Sequence, residues 1–222
     1  MEGRGSATDS YIIILNGDKP KFCGKEFFSG KRVVCADGAY GYFAQFGLRA
    51  FAVVGDMDSY SGGQINALHV VKFPRDKDKT DGQLAIEFAA ESGAREVVII
   101  GAAGQRDDHY LANIGLLSLA HKMGIEARIV TDYSEIHFFK EEIELTCSKN
   151  KYFSIVPFSQ SLHIIGTEGL KYEICRKTLK SCDSLGISNE TVAQRVKITA
   201  KRGAGLAILS FEDVKKTEVL EK

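Results

Sequence analysis

Hydrophobic positions along the first 132 residues fall into short β-branched runs separated by longer amphipathic stretches. Tyr11 to Leu15, Arg32 to Ala36, Phe51 to Val54, His69 to Lys72, Glu96 to Ile100 and Ala127 to Thr131 have the length and composition of strands buried on both faces. Between them, Ala39 to Phe46, Asp81 to Ser92 and Asp108 to Met123 read as helices; Leu84 with Phe88, and Leu111 with Ile114 and Leu117, fall on single helical faces. Thr80 is placed to cap the second helix and Asp107 or Asp108 the third, since a short oxygen-bearing side chain satisfies the free amides of a first turn. The strand, helix, strand alternation predicts an α/β fold, a mostly parallel sheet with flanking helices.

Beyond Asp132 the period changes to two. Ile143, Leu145 and Cys147 alternate with Glu142, Glu144 and Thr146, and strand-like runs follow at Tyr152 to Val156, Leu162 to Ile165, Thr191 to Thr199 and Leu206 to Phe211. Turn-prone pieces at 166–169 and 201–205 separate them. These features predict a second, antiparallel β-sandwich or small-barrel domain over 133–222, after an α/β domain over 1–132.

Composition narrows the function classes. With 44% apolar residues in 222, the chain can bury a core. Its 29 basic residues balance 29 acidic ones, so no excess charge points to nucleic acid or an anionic membrane surface. The apolar runs fall far short of the roughly 20 residues of a membrane helix, and the polar, glycine-rich opening lacks the core of a signal peptide. A cytoplasmic location is expected. Five dispersed cysteines without a Cys-x-x-Cys pair suggest neither a disulfide framework nor a zinc site.

The informative feature is where the aspartates lie. Asp37, Asp56, Asp58, Asp76, Asp78, Asp81, Asp107 and Asp108 cluster between residues 37 and 108, several of them directly after predicted strands. In open parallel sheets, ligands bind outside the carboxyl ends of the strands. Gly55-Asp56-Met57-Asp58 sets two carboxylates two residues apart behind a flexible glycine, a pattern suited to magnesium, which takes oxygen ligands and completes its shell from water and phosphate. It equally describes a polar turn. Asp81, at a helix start, is a candidate third ligand. The small-residue loop Gly101-Ala102-Ala103-Gly104-Gln105-Arg106, between a strand and a helix, offers backbone amides and a guanidinium to an anion. His109 reads as a packing residue in a first helical turn. Acids and phosphate loop together point to magnesium-assisted phosphoryl chemistry.

Ala36-Asp37-Gly38-Ala39, Gly55-Asp56-Met57-Asp58-Ser59, Asp76 to Asp81, Gly104-Gln105-Arg106-Asp107-Asp108-His109 with Leu111-Ala112-Asn113, and Ser188-Asn189-Glu190 occur in the order found in the thiamine pyrophosphokinase family, and the chain resembles that family from about Ile12 to Leu209. The resemblance implies transfer of the β,γ-diphosphoryl group of ATP to the thiamine hydroxyl, giving thiamine diphosphate and AMP. It implies a nucleotide domain, a thiamine-binding β domain, and a homodimer whose thiamine site is shared between subunits. It carries magnesium-ligand roles to Asp56, Asp58 and Asp81. Nucleotide or phosphate contacts fall to Asn16, Gly17, Asp37, Gly38, Arg106 and Asp108, and thiamine contacts to Thr80, Ser188 and Asn189. Two departures stand out: Gln105 replaces a usual glycine, and the chain has no tryptophan, whereas some members stack an indole on thiamine. A pterin-directed diphosphokinase and a silent nucleotide or thiamine sensor are the alternatives, the first weakened by the Ser-Asn-Glu loop and the second by the retained Asp56, Asp58 and Asp81.

Overall fold

The structure, a computed structural model, describes residues 10–57, 60, 62–76 and 78–214. Asp58 therefore lies outside the described residues, as does Lys77. The chain divides into two compact units, Met1–Asp132 and Tyr133–Lys222.

The first unit is a parallel sheet. Its strands are β1 (Ser10–Ile14), β2 (Arg32–Ala36), β3 (Ala50–Gly55), β4 (Ala67–Lys72), β5 (Glu96–Ile100) and β6 (Glu126–Val130), in the order β6-β5-β1-β2-β3-β4. Each of these pairs is parallel. β1, β2 and β5 are buried at four consecutive positions each, as continuous Val/Ile-rich runs require when helices cover both faces. On one face Ile12, Ile14, Val33, Cys35, Val53, Val98 and Ile100 pack with Phe28 from α1 (Lys25–Phe28) and Tyr40 and Phe43 from α2 (Tyr40–Ala44). α3 (Asp81–Glu91) packs against β1, β2 and β3, and α4 (Asp107–Lys122) against β6 and α3. Cys23 and Cys35 serve as small buried hydrophobes; burial pushes the Cys23 thiol up to about 11 and Cys35 further.

Three sequence expectations change here. β4 is the outermost strand and is largely exposed, with Leu68 at 53% and Val70 at 44%, rather than buried on both faces. The helix expected over 39–46 is a 3₁₀ turn at Asp37–Ala39 followed by the five residues of α2. Thr80 does cap α3, its Oγ1 accepting from the Gln83 N–H at 3.2 Å, but α4 starts after Arg106 without a side-chain cap. Asp107 and Asp108 instead occupy its first turn, where carboxylates favour the positive end of the helix dipole.

The second unit is a sandwich of two antiparallel sheets. One holds β7 (Ser134–Phe139), β9 (Lys151–Pro157), β12 (Asn189–Glu190) and β14 (Gly205–Asp213) in the order β12-β9-β14-β7. The other holds β8 (Glu142–Thr146), β10 (Ser161–Glu168), β11 (Cys175–Lys180) and β13 (Arg195–Arg202) in the order β11-β10-β13-β8. Phe139, Phe153, Ile155, Ala207 and Leu209 of the first meet Leu162, Ile164, Leu179, Val196 and Ile198 of the second in one core. The strand expected over 191–199 begins only at Arg195, and β10 runs through Gly166 to Glu168, where a turn was expected. Strands β7, β11 and β12 carry too short or too polar a pattern to stand out.

Candidate active site

The strand order fixes where a ligand can bind. From β1 the chain moves outward through β2, β3 and β4, then returns to the opposite side of β1 as β5 and β6. Loops leaving β1 and β5 therefore diverge at a topological switch point, where open α/β sheets leave a crevice. A cavity of about 640 Å³ lies there, walled by Leu15–Asp18 after β1, Ala36 at the end of β2 and Asp37 just beyond it, Thr80–Gly82 at the start of α3, Ala102–Arg106 after β5, and His109 and Asn113 of α4. Two helices thus begin at one cavity, so their unsatisfied amides and positive dipole ends favour an anion within it.

The loops after β1 and β5 are bound to each other. Gly17 N–H donates to Gly101 O at 2.9 Å and Asp18 N–H to Ala103 O at 2.6 Å. A Cβ on Gly17 would stand 2.0 Å from Ala103 O, so only glycine permits this approach.

Asp37 is the most constrained acid of the site. It is 7% exposed, has a left-handed backbone with φ 45°, and accepts from the Met57 N–H at 2.9 Å through Oδ1. That bond ties the turn after β2 to the loop after β3, and the two backbones come so close that a Cβ on Gly55 would meet Asp37 Cβ at 2.7 Å. A left-handed aspartate in a strand-end turn is uncommon and is held here by its surroundings.

Of the residues singled out in the sequence, Asn16, Gly17, Asp37, Thr80, Asp81 and Arg106 come together around this cavity. Gly38, Asp56 and Asp108 are not in its wall: Gly38 sits in the 3₁₀ turn, Asp56 is half-buried just beyond β3, and Asp108 points its carboxylate at Arg106. Arg106 Nε and Nη2 donate to Asp108 Oδ1 and Oδ2 at 3.1 and 2.5 Å. The pairing holds the Asp108 carboxyl below the usual range and raises Arg106, yet both side chains are about two-thirds exposed, where such a pair adds little stability. Asp18 was not anticipated, although its place directly after Asn16-Gly17 at a strand end was the available signal.

Three acidic residues, Asp18, Asp37 and Asp81, and one arginine, Arg106, line this wall. Among the described residues, no three His, Cys, Asp or Glu side chains are grouped as a metal site. Magnesium rarely takes such an all-protein cage; one or two carboxylates, water and phosphate oxygens suffice. The hard oxygen donors of Asp37 and Asp81 fit that chemistry.

In the second unit, Ser188 is exposed with φ 58°, its N–H donating to Ser154 Oγ at 3.0 Å. Asn189 is buried and turned to the backbone. Its Oδ1 accepts from the N–H groups of Tyr172 (3.1 Å) and Glu190 (2.8 Å), while Nδ2 donates to Tyr172 O at 2.7 Å. Asn189 therefore clamps the backbone of Tyr172 from both sides. The Tyr172 ring is left 59% exposed, with Lys171 Nζ 5.3 Å from its centroid.

Residues 25–129 match the family described as thiamin pyrophosphokinase, catalytic domain, and residues 135–204 match thiamin pyrophosphokinase, vitamin B1 binding domain. The chain is also 36% identical over 150 residues to the thiamine pyrophosphokinase of Bacillus subtilis, spanning 66% of this chain and 68% of that one. The chain belongs to the thiamine pyrophosphokinase family. With membership comes the family reaction, formation of thiamine diphosphate from thiamine with ATP. A crystal structure of the Bacillus subtilis thiamine pyrophosphokinase superposes with a TM-score of 0.79 at 26% identity, covering 90% of this chain and 98% of that one. For the yeast thiamin pyrophosphokinase the values are 0.72, 15%, 93% and 88%, which speaks for a shared fold alone. Among the described residues, no helix is long and apolar enough to cross a membrane.

Proposed function

We propose that the cavity at the β1/β5 switch point holds the triphosphate of ATP and that this chain transfers its β,γ-diphosphoryl group to the thiamine hydroxyl, releasing AMP. The observation that carries the reading is the charge of the wall. Three carboxylates and one guanidinium would repel a polyphosphate by themselves, yet two helix N-termini and a glycine-rich loop are built around the same space. A divalent cation reconciles the two. Magnesium held by Asp37 and Asp81, with Asp56 and Asp58 as further candidates, would neutralise phosphate charge as it builds in a loose transition state.

The chain's own groups do the rest. The first-turn amides of α3 and α4 and the backbone of the Gly101–Gly104 loop present donors to the phosphate oxygens without reorganising during reaction. Arg106 is pre-positioned by Asp108, and because that pair is exposed, a phosphate can take over the guanidinium at little cost. Asn16 and Gly17 line the nucleotide side, with Gly38 shaping the turn that carries Asp37, and Thr80 holds α3 in place by its cap. In the transfer, the thiamine oxygen bonds to the β-phosphorus, the bond to the α-phosphate bridge breaks, and AMP carries away that oxygen. The hydroxyl proton leaves late, so no strong base is required.

For thiamine, Ser188 remains the polar candidate and Asn189 acts through Tyr172. The clamped, exposed Tyr172 ring supplies the flat surface that a cationic thiazolium prefers where tryptophan is absent. Tyr172→Ala should raise the KM for thiamine about tenfold, the equivalent of one lost stacking contact, with the KM for ATP unchanged. Equal KM values for thiamine would remove Tyr172 from the site. The reading takes the active form as a cytoplasmic homodimer with its thiamine site shared between subunits.

The deciding experiment measures AMP released from ATP and magnesium with thiamine, without it, and with a reduced pterin alcohol instead. AMP that depends on both thiamine and magnesium is the expected result. AMP released only with the pterin, or none in any arm, would overturn the proposal.

A further inference from the structure

Three successive carbonyls of the loop after β5 are each taken by a donor from outside the loop. Gly101 O accepts from Gly17 N–H, Ala102 O from Asn113 Nδ2–H at 2.8 Å, and Ala103 O from Asp18 N–H. The first and third bonds come from backbone and are available to any sequence that lets the two loops approach. The middle one depends on a single side chain.

Asn113 also lines the cavity, and its Oδ1 lies 3.5 Å from where a Cβ on Gly82 would stand, at the start of α3 beside Asp81. One amide thus reaches both the loop and the helix start that flank the cavity. A peptide carbonyl left free in a loop can turn its lone pairs toward a bound anion and repel it. With these three carbonyls engaged, the backbone groups that Gly101, Ala102 and Ala103 retain for a ligand are their N–H groups.

We propose that Asn113 is a positioning residue for the phosphate chain of ATP: by holding the Ala102 carbonyl, it keeps the Gly101–Gly104 loop in its anion-accepting orientation. The proposal rests on the phosphate reading of this cavity. It assigns Asn113 no contact with the reacting atoms.

The test uses two competitive inhibitors of the intact enzyme, inorganic tripolyphosphate and adenosine, on three proteins. In Asn113→Ala, inhibition by tripolyphosphate should weaken about tenfold and the KM for ATP rise in step, while inhibition by adenosine, the KM for thiamine and the thermal midpoint stay as in the wild type. Arg106→Ala serves as the control for the reading itself. If Arg106→Ala weakens tripolyphosphate and Asn113→Ala does not, the role of Asn113 is overturned and the phosphate site stands. If neither variant changes tripolyphosphate inhibition, the phosphate reading falls and the proposal with it. A uniform loss toward all ligands with a lowered midpoint would make Asn113 merely structural and also overturn the proposal. A second measurement needs no variant: amide exchange at residues 102–105 of the wild type should slow when tripolyphosphate is added, and unchanged exchange would count against the loop as the phosphate cradle.

Discussion

Asp81→Asn is expected to lower turnover by about 10²–10³-fold while leaving the fold intact, the loss seen when one preorganised electrostatic contact to a reacting centre is removed. Asp81 is the first residue of α3, half-buried, and part of the cavity wall. Asparagine has the same shape and is itself well tolerated at a helix start, and Thr80 keeps its cap, so stability should change by less than about 1 kcal/mol. What disappears is a charge in the wall of the proposed phosphate site. The loss should appear in the AMP assay together with a higher magnesium requirement. Asp107→Asn is the matched control, since that carboxylate is exposed in the first turn of α4 and outside the cavity wall; its activity should stay within about twofold. An Asp81→Asn enzyme that turns over like the wild type would take the carboxylate out of the chemistry and leave the wall without its cation argument.

How much of this site can be read from the chain depends on which forces place each residue. The strands β1, β2 and β5 are continuous apolar runs, and a run that long can be satisfied only between two helical layers, so the parallel sheet follows from local pattern. Once the strands are known, their carboxyl ends are known too, which is why Asn16, Gly17, Asp37, Thr80, Asp81 and Arg106 are found together. What the pattern does not carry is how strands are ordered across the sheet. β4 has a Val-containing apolar run much like those of the buried strands, yet its place at the edge leaves Leu68 and Val70 exposed. The switch point between β1 and β5 likewise comes from long-range order, and it brings to the cavity Asp18, which no motif marks, and Asn113, whose Leu111-Ala112-Asn113 motif names no role for it.

Asn189 illustrates a second limit. The Ser-Asn-Glu stretch reads, by the family resemblance, as a thiamine-side loop, and the natural guess is that an asparagine there touches the ligand. In the fold its amide is buried and engaged with the backbone of Tyr172 on both sides. Seventeen residues separate the pair in sequence. Sequence spacing gives no hint of that contact, so the aromatic surface it supports was invisible until the β-sandwich brought the two segments together. The Arg106–Asp108 pair is the converse case, two residues apart and legible as neighbours, but its bidentate bond forms around the start of α4, which begins one residue earlier than a cap at Asp107 would have required.

Gly17→Ala should be among the most disruptive small substitutions in the first unit. The added methyl group would fall 2.0 Å from Ala103 O and 2.6 Å from Gly101 O. Both are backbone atoms in the middle of a short loop, so neither can swing aside as the end of a side chain would. Relief requires the β1 and β5 loops to separate, which breaks Gly17 N–H to Gly101 O and Asp18 N–H to Ala103 O. Overpacking costs about 1–3 kcal/mol and each lost hydrogen bond about 1 kcal/mol more, so a destabilisation of about 3 kcal/mol or greater is expected. ATP binding should suffer beyond what stability explains, because the same separation releases two of the three loop carbonyls. Gly115→Ala provides the contrast. Gly115 lies within α4 with open space at its Cβ position, and alanine there should be neutral or stabilising by up to about 1 kcal/mol. Urea titration of both variants beside the wild type, followed by the KM for ATP, reads the two effects separately. If Gly17→Ala kept the wild-type midpoint and KM, the two loops could not be packed as closely as the cavity requires, and the placement of the phosphate chain between them would have to be abandoned.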